Sequence, residues 1–197
     1  GGDGIKSNND TDETKGTIAI EGGTLNITST EDGIQAETSF TMSDGDITIV
    51  SGGGHENAAA HVESMMGGRP GEMQVSTSTT AEETVSAKGI KAGTSITIDG
   101  GNIKIDSADD SIHTNDAITI NGGNFTILSG DDGIHGDNTL EINGGDIVIN
   151  NSYEGLEATD ITINKGNIKL TATDDGINAA GGNDSGIGGM FGGDNFG

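Results

Sequence analysis

Asp131-Asp132-Gly133-Ile134-His135, then Thr139-Leu140-Glu141-Ile142, then Gly144-Gly145-Asp146-Ile147-Val148-Ile149 make one copy of a unit that runs down most of the chain. Its anchor returns at Gly89-Ile90, Ser111-Ile112, Gly133-Ile134, Gly155-Leu156 and Gly176-Ile177, in steps of 22, 22, 22 and 21 residues. Two earlier copies start at Gly4-Ile5 and Gly33-Ile34, with longer gaps. A fixed period of this size marks a stacked repeat architecture.

Each unit holds three short runs in which apolar and polar residues alternate, the pattern of strands with one buried face. The first run supplies one inward residue per unit: Ile5, Ile34, Ile90, Ile112, Ile134, Leu156, Ile177. The second supplies pairs such as Ile118 with Ile120 and Ile161 with Ile163, and the third pairs such as Phe125 with Ile127. Gly22-Gly23, Gly100-Gly101, Gly122-Gly123 and Gly144-Gly145 lie between the second and third runs, where glycine lets the chain take positive φ and turn. Asn102, Asn124, Asp146 and Asn167 follow these bends and are expected to form a side-chain ladder. The reading is therefore an all-β, right-handed, single-stranded parallel β-helix of about seven coils with three short strands per coil. At the spacing of paired strands it is a rod ~35 Å long. Hydrophobic content of only 30% suits it, because each coil needs few inward residues.

The helix is expected to occupy residues 1–180, with 181–197 as a Gly-rich linker. Within it, Asn8 to Lys15 form a polar loop, and residues 51–85 are an insertion. Glu56 to Met66 could form a short helix there, followed by a flexible loop from Gly67 to Thr84. His55 and His61 read as solvated loop residues. Neither end carries a capping segment, so a fragment of a longer protein is expected.

Net charge is −24, which argues against nucleic acid or an anionic membrane as direct partners. The sequence has no cysteine and no apolar run long enough to span a membrane. The carboxylates are patterned. Asp3, Glu31-Asp32, Asp109-Asp110, Asp131-Asp132, Glu154 and Asp174-Asp175 all stand just before the anchor. Stacking brings them ~4.8 Å apart, where two like charges repel by about 1 kcal/mol in water and by several in a less polar setting. Asp before Gly is also ordinary turn chemistry, the carboxylate accepting backbone N–H bonds. The doubled, in-register repeat points instead to a hard cation that takes carboxylate and carbonyl oxygens. The expected ligands of Ca²⁺ are Asp109, Asp110, Asp131, Asp132, Glu154, Asp174 and Asp175, with Glu157 pointing outward as a further one. Lys88 fills the same column one coil earlier and is expected to pair with Asp110 or reach a sugar carboxylate.

A second column, standing outward just after the anchor, holds Lys6, Gln35, Lys91, His113, His135, Glu157 and Asn178, with Tyr153 nearby. Evenly spaced hydrogen-bonding side chains suit an extended polymer, so Lys88, Lys91, His113, His135, Tyr153 and Asn178 are the expected carbohydrate contacts. A solvated strand face is the alternative. Thr41, Thr97, Thr119 and Thr162 form a strip resembling an ice-binding face, but Ala19 and Glu141 interrupt it.

Ser86-Ala87-Lys88-Gly89-Ile90-Lys91-Ala92, Tyr153-Glu154-Gly155-Leu156-Glu157 and Asp174-Asp175-Gly176-Ile177-Asn178-Ala179-Ala180 carry a resemblance. With the Asp131 to His135 copy, they resemble a bacterial family of secreted, polysaccharide-lyase-like β-helix proteins that bind cellulose and polygalacturonate. The resemblance covers residues 1–182. It implies a secreted or cell-surface carbohydrate-binding protein with bound calcium, and kinship with calcium-dependent pectate lyases. Such a lyase needs a base beside the metal. Lys165 and Lys169 belong to other faces, and Lys88 and Lys91 lie one coil below the start of the carboxylate cluster. Non-catalytic binding is thus the first reading, a lyase the second, and a structural stalk or adhesin the third.

Overall fold

The computed structural model describes residues 2–12, 14–59 and 86–179, and shows a parallel β-solenoid. Three strand columns stack along it. The first contains Ile5–Ser7, Ile34–Ala36, Ile90–Ala92, Ile112–Thr114, the start of Ile134–Ile142, the start of Leu156–Ile163, and Ile177–Asn178. The second contains Ile18–Ile20, Ser39–Met42, Ser95–Ile98, Ala117–Ile120 and the later halves of the same two long strands. The third contains Thr24–Ser29, Asp46–Ser51, Asn102–Ser107, Asn124–Ser129, Asp146–Asn151 and Asn167–Leu170. Among the described residues this makes about six full turns plus the first strand of another, rather than seven complete coils.

Register is kept from coil to coil. Ile90, Ile112, Ile134 and Leu156 pair in sequence, as do His113, His135 and Glu157 in the neighbouring row. The 21-residue step appears as a register shift after Gly136, where Thr139 pairs with Asp160. Ser51 still pairs with Ser29 and Ser107, so the insertion leaves the solenoid only after it. In place of a helix from Glu56 there is one 3₁₀ turn, His55–Asn57, which ends at Ala58. The rest of that expected helix, His61 and the Gly67 to Thr84 loop lie outside the described residues, as do positions 180–197.

The core is the stack of inward side chains. Ile34, Ile90, Ile96, Ile118, Ile134, Ile142 and Ile147 are fully buried. Burying one such side chain contributes about 1.5–3 kcal/mol relative to exposing it. The expected columns hold in the middle and fail at the last coil: Ile163 and Ile177 are 44% and 49% exposed. No neighbouring coil covers them among the described residues. Two inward rows were not anticipated. Ala36, Ala92, Thr114 and Ala158 fill the tight corner after the first strand, where only small side chains fit. Ser29, Ser51, Ser107, Ser129 and Ser152 form a buried polar row. Ser29 and Ser129 donate to the carbonyls of Glu31 and Asp132 at 2.9 and 2.7 Å, tying each third strand to the acidic turn that follows.

The bends use their two glycines differently. Gly123 has φ +106°, a left-handed value that favours glycine. Gly122 does not, but a Cβ there would lie 2.8 Å from the Asp99 carbonyl of the coil below. The expected Asn ladder is present: Asn102 donates to Asp46 at 2.7 Å, Asn124 to Asn102 at 2.9 Å, and Asn167 to Asp146 at 2.6 Å. A second ladder runs beside it through Asp99, Asn121, Asn143 and Asn164, at 2.7, 3.0 and 2.8 Å.

Position within the stack should set the cost of truncation. Ile118→Ala should lose about 2–5 kcal/mol and Ile163→Ala under about 1 kcal/mol in urea denaturation, because only Ile118 leaves a closed cavity. Equal losses would contradict this account of the core.

Candidate functional site

The acidic row before the anchor is built from backbone contacts between coils. Asp32, Asp110, Asp132 and Glu154 are buried. Asp32 Oδ1 accepts the Lys88 N–H at 2.8 Å, Asp110 Oδ1 that of Asp132 at 3.1 Å, and Asp132 Oδ1 that of Glu154 at 3.0 Å. Asp32, Asp110 and Asp132 therefore each cap the turn of the next coil. This is the turn chemistry weighed above, acting between coils about 22 residues apart in sequence instead of within one turn. A carboxylate held by N–H bonds can remain buried where an unpaired one could not.

Lys88 takes the place of an acid in this row and pairs with the row above. Its Nζ lies 2.8 Å from Asp109 Oδ1 and 2.6 Å from Asp110 Oδ2. Burial opposes its charge, but Asp110 and Asp109 outweigh burial and raise its pKa. The expected pairing with Asp110 is thus present, and the protonated amine is not available as a base to accept a proton.

The row after the anchor differs from the expected outward strip. Glu157 is 4% exposed and the side chains of His113 and His135 are 12% and 15% exposed. They fold back against the acidic row. His113 Nδ1 lies 3.0 Å from Asp110 Oδ2, and His135 Nδ1 lies 3.7 Å from that oxygen and 3.5 Å from Asp132 Oδ2. His135 Nε2 is 3.5 Å from Glu157 Oε2 and 3.6 Å from Asp137 Oδ1. The two rings meet edge to face with centroids 4.9 Å apart. Lys91 remains partly exposed, 3.9 Å from Asp32. Asn178 donates to Glu154 Oε1 at 2.8 Å. Tyr153 is partly exposed, and its backbone N–H binds the Asp131 carbonyl at 2.8 Å.

Crowding pushes neighbouring carboxyls apart in acidity. Burial would raise Asp110, yet His113, His135 and Lys88 hold it well below the usual carboxylate range. Burial pushes Asp132 up to about 10, helped by the charges of Asp110 and Asp131 and by Glu157. Burial would lower His135, but Asp110, Glu157 and Asp137 raise it. Two like charges this close favour one proton between them.

The eight expected calcium ligands do not converge on one point. Asp109, Asp110 and Asp131 form one oxygen-only group, and Glu154, Asp174 and Asp175 another. Asp132 and Glu157 gather instead with His135, and Asp110 also belongs to a group with His113 and His135. The oxygen-only groups fit a hard cation such as calcium. The first already holds the Lys88 ammonium; in the second, Asp174 and Asp175 face solvent. Asp137 was missed by sequence reading. Its signal was present, since it stands two residues after His135 and so shares its strand face. His55 does not read as a solvated loop residue: its Nδ1 and backbone N–H lie 2.8 and 2.7 Å from Asp106 Oδ1.

The described residues form a helix-poor solenoid with an ordered polar edge. Residues 1–133 match the family model described as carbohydrate-binding domain-containing protein, and the chain belongs to that family. The family supports a carbohydrate-binding role without catalysis. No curated protein and no solved structure matches the chain.

Lys88→Met should destabilise the fold by about 3–5 kcal/mol, the usual result of leaving a buried charge without its partner. Chemical denaturation measures it; a loss under about 1 kcal/mol would mean that Lys88 does not neutralise Asp110.

Proposed function

We propose that the chain is a calcium-dependent, non-catalytic module for plant cell-wall polysaccharide, with polygalacturonate as the main ligand and cellulose as a second. The observation that carries this reading is the oxygen-only group of Glu154, Asp174 and Asp175 beside Asn178, on a protein of net charge −24. A polyuronate is itself anionic, so an acidic surface can hold it only through a shared cation. Calcium coordinates 6–8 oxygens, and three carboxylates leave room for uronate oxygens. Asp109, Asp110 and Asp131 form a second, Lys88-neutralised position of lower calcium affinity. Lys91 and the partly exposed Tyr153 supply direct sugar contacts. His113 and His135 contribute less than the strip reading expected, because both are mostly buried against carboxylates.

Lys88 supports binding over catalysis. A lyase base must be unprotonated when substrate arrives, and the two aspartates keep this ammonium charged. The natural setting of such a module is outside the cell or on a bacterial cell surface, where calcium and plant polymers meet.

Pull-down on polygalacturonate should lose at least about tenfold in affinity, roughly 1.4 kcal/mol, when calcium is removed with EDTA. Asp174→Asn with Asp175→Asn should produce the same loss with calcium present. Undiminished binding in EDTA would rule out cation bridging.

Calorimetry of the chelator-stripped protein should show calcium binding that the double Asp174→Asn, Asp175→Asn variant loses. No heat in the wild type would remove calcium from the proposal while leaving neutral glycans open.

A further inference from the structure

The histidine pair carries chemistry that the calcium reading does not use. In the fourth and fifth coils, Asp110, His113 and His135 each direct a ligand atom into one spot, within 4.8 Å of one another. The contacts run from His113 Nδ1 to Asp110 Oδ2 at 3.0 Å and from His135 Nδ1 to the same oxygen at 3.7 Å. Asp132 Oδ2 lies 3.5 Å from that same His135 nitrogen. Tetrahedral ligands at the usual zinc–nitrogen and zinc–oxygen distance of about 2.0–2.1 Å lie roughly 3.3 Å from each other. The two Asp110–imidazole edges bracket this separation.

His113 is informative. Its Nε2 lies 3.2 Å from Asn115 Oδ1. Its Nδ1 is buried and makes no hydrogen bond, although a carboxylate oxygen lies 3.0 Å away. A buried polar atom without a hydrogen bond is costly, and a cation between the nitrogen and the carboxylate would satisfy both. Lys88 Nζ bonds the same Asp110 oxygen at 2.6 Å, so the ion would share that oxygen with the ammonium; the N–H of Asp132 holds the other oxygen at 3.1 Å. Asn115 orients His113 as outer partners orient metal-bound imidazoles.

We propose that Asp110, His113 and His135 form a site for a borderline transition-metal dication, zinc foremost, which shares Asp110 with one of the oxygen-only groups. Two imidazoles favour zinc, copper or nickel over calcium, which takes oxygen. The ion would join two adjacent coils at the centre of the rod.

The test is calorimetric titration of the metal-stripped full chain with Zn²⁺ in excess Ca²⁺. One Zn²⁺ per chain is expected, retained in the presence of Ca²⁺ because imidazole nitrogen favours zinc. His113→Ala and His135→Ala should each weaken binding by more than the roughly 10–100-fold that losing an outer partner costs. Lys104→Ala, exposed on the third strand column, should bind as the wild type does. Circular dichroism establishes that each variant is folded before titration. As a readout that needs no variant, Zn²⁺ should shift the ¹⁵N resonances of the His113 and His135 Nδ1 atoms. Absence of Zn²⁺ binding, or unchanged binding by folded His113→Ala or His135→Ala, would overturn the proposal. Calcium binding that persists in the histidine variants would separate this site from the calcium reading, whichever of the two fails.

Discussion

Every property of this molecule depends on strand register between coils. Each coil buries too little apolar surface to fold alone, and only stacking closes the core. The backbone pairing of Ile112 with Ile134 and of Ile118 with Leu140 sets one isoleucine above another, and the same pairing sets Asn above Asn and Asp above Asp. A one-residue slip would turn each inward row to solvent, so the alternating pattern holds the stack in place.

Register has an electrostatic consequence. It converts a sequence repeat into a line of carboxylates at strand spacing, which an acidic protein would not otherwise tolerate. The structure meets this in three ways: N–H groups of the next coil cap the buried acids, Lys88 inserts a positive charge, and His113 and His135 fold in as partners. The proposed function rests on the same feature, because a surface dense in oxygen donors would recruit cations and, through them, anionic polymers.

The fold was largely legible in the sequence. Period, alternation and paired glycines named the solenoid, its columns and the Asn ladder on Asn102, Asn124 and Asn167. What escaped was small or polar. Ala92 and Ser107 are buried without standing out in a hydrophobic pattern, and Asn121 entered a ladder because the bend left its amide facing the same residue one coil away. Ile163 and Ile177 followed the inward pattern yet stay exposed, because burial at a stack's end depends on the next coil and not on the residue.

At the site, sequence alone determined which residues share a row, because a constant step places residues of equal phase one above another. It could not determine side-chain direction within a row. His135 and Glu157 alternate as outward residues, yet the acidic turn beside them offers ion pairs that outweigh exposure, so both fold inward. Which carboxylates meet oxygen alone and which meet imidazole was decided by this tertiary packing, through competition between hydration, charge and available partners.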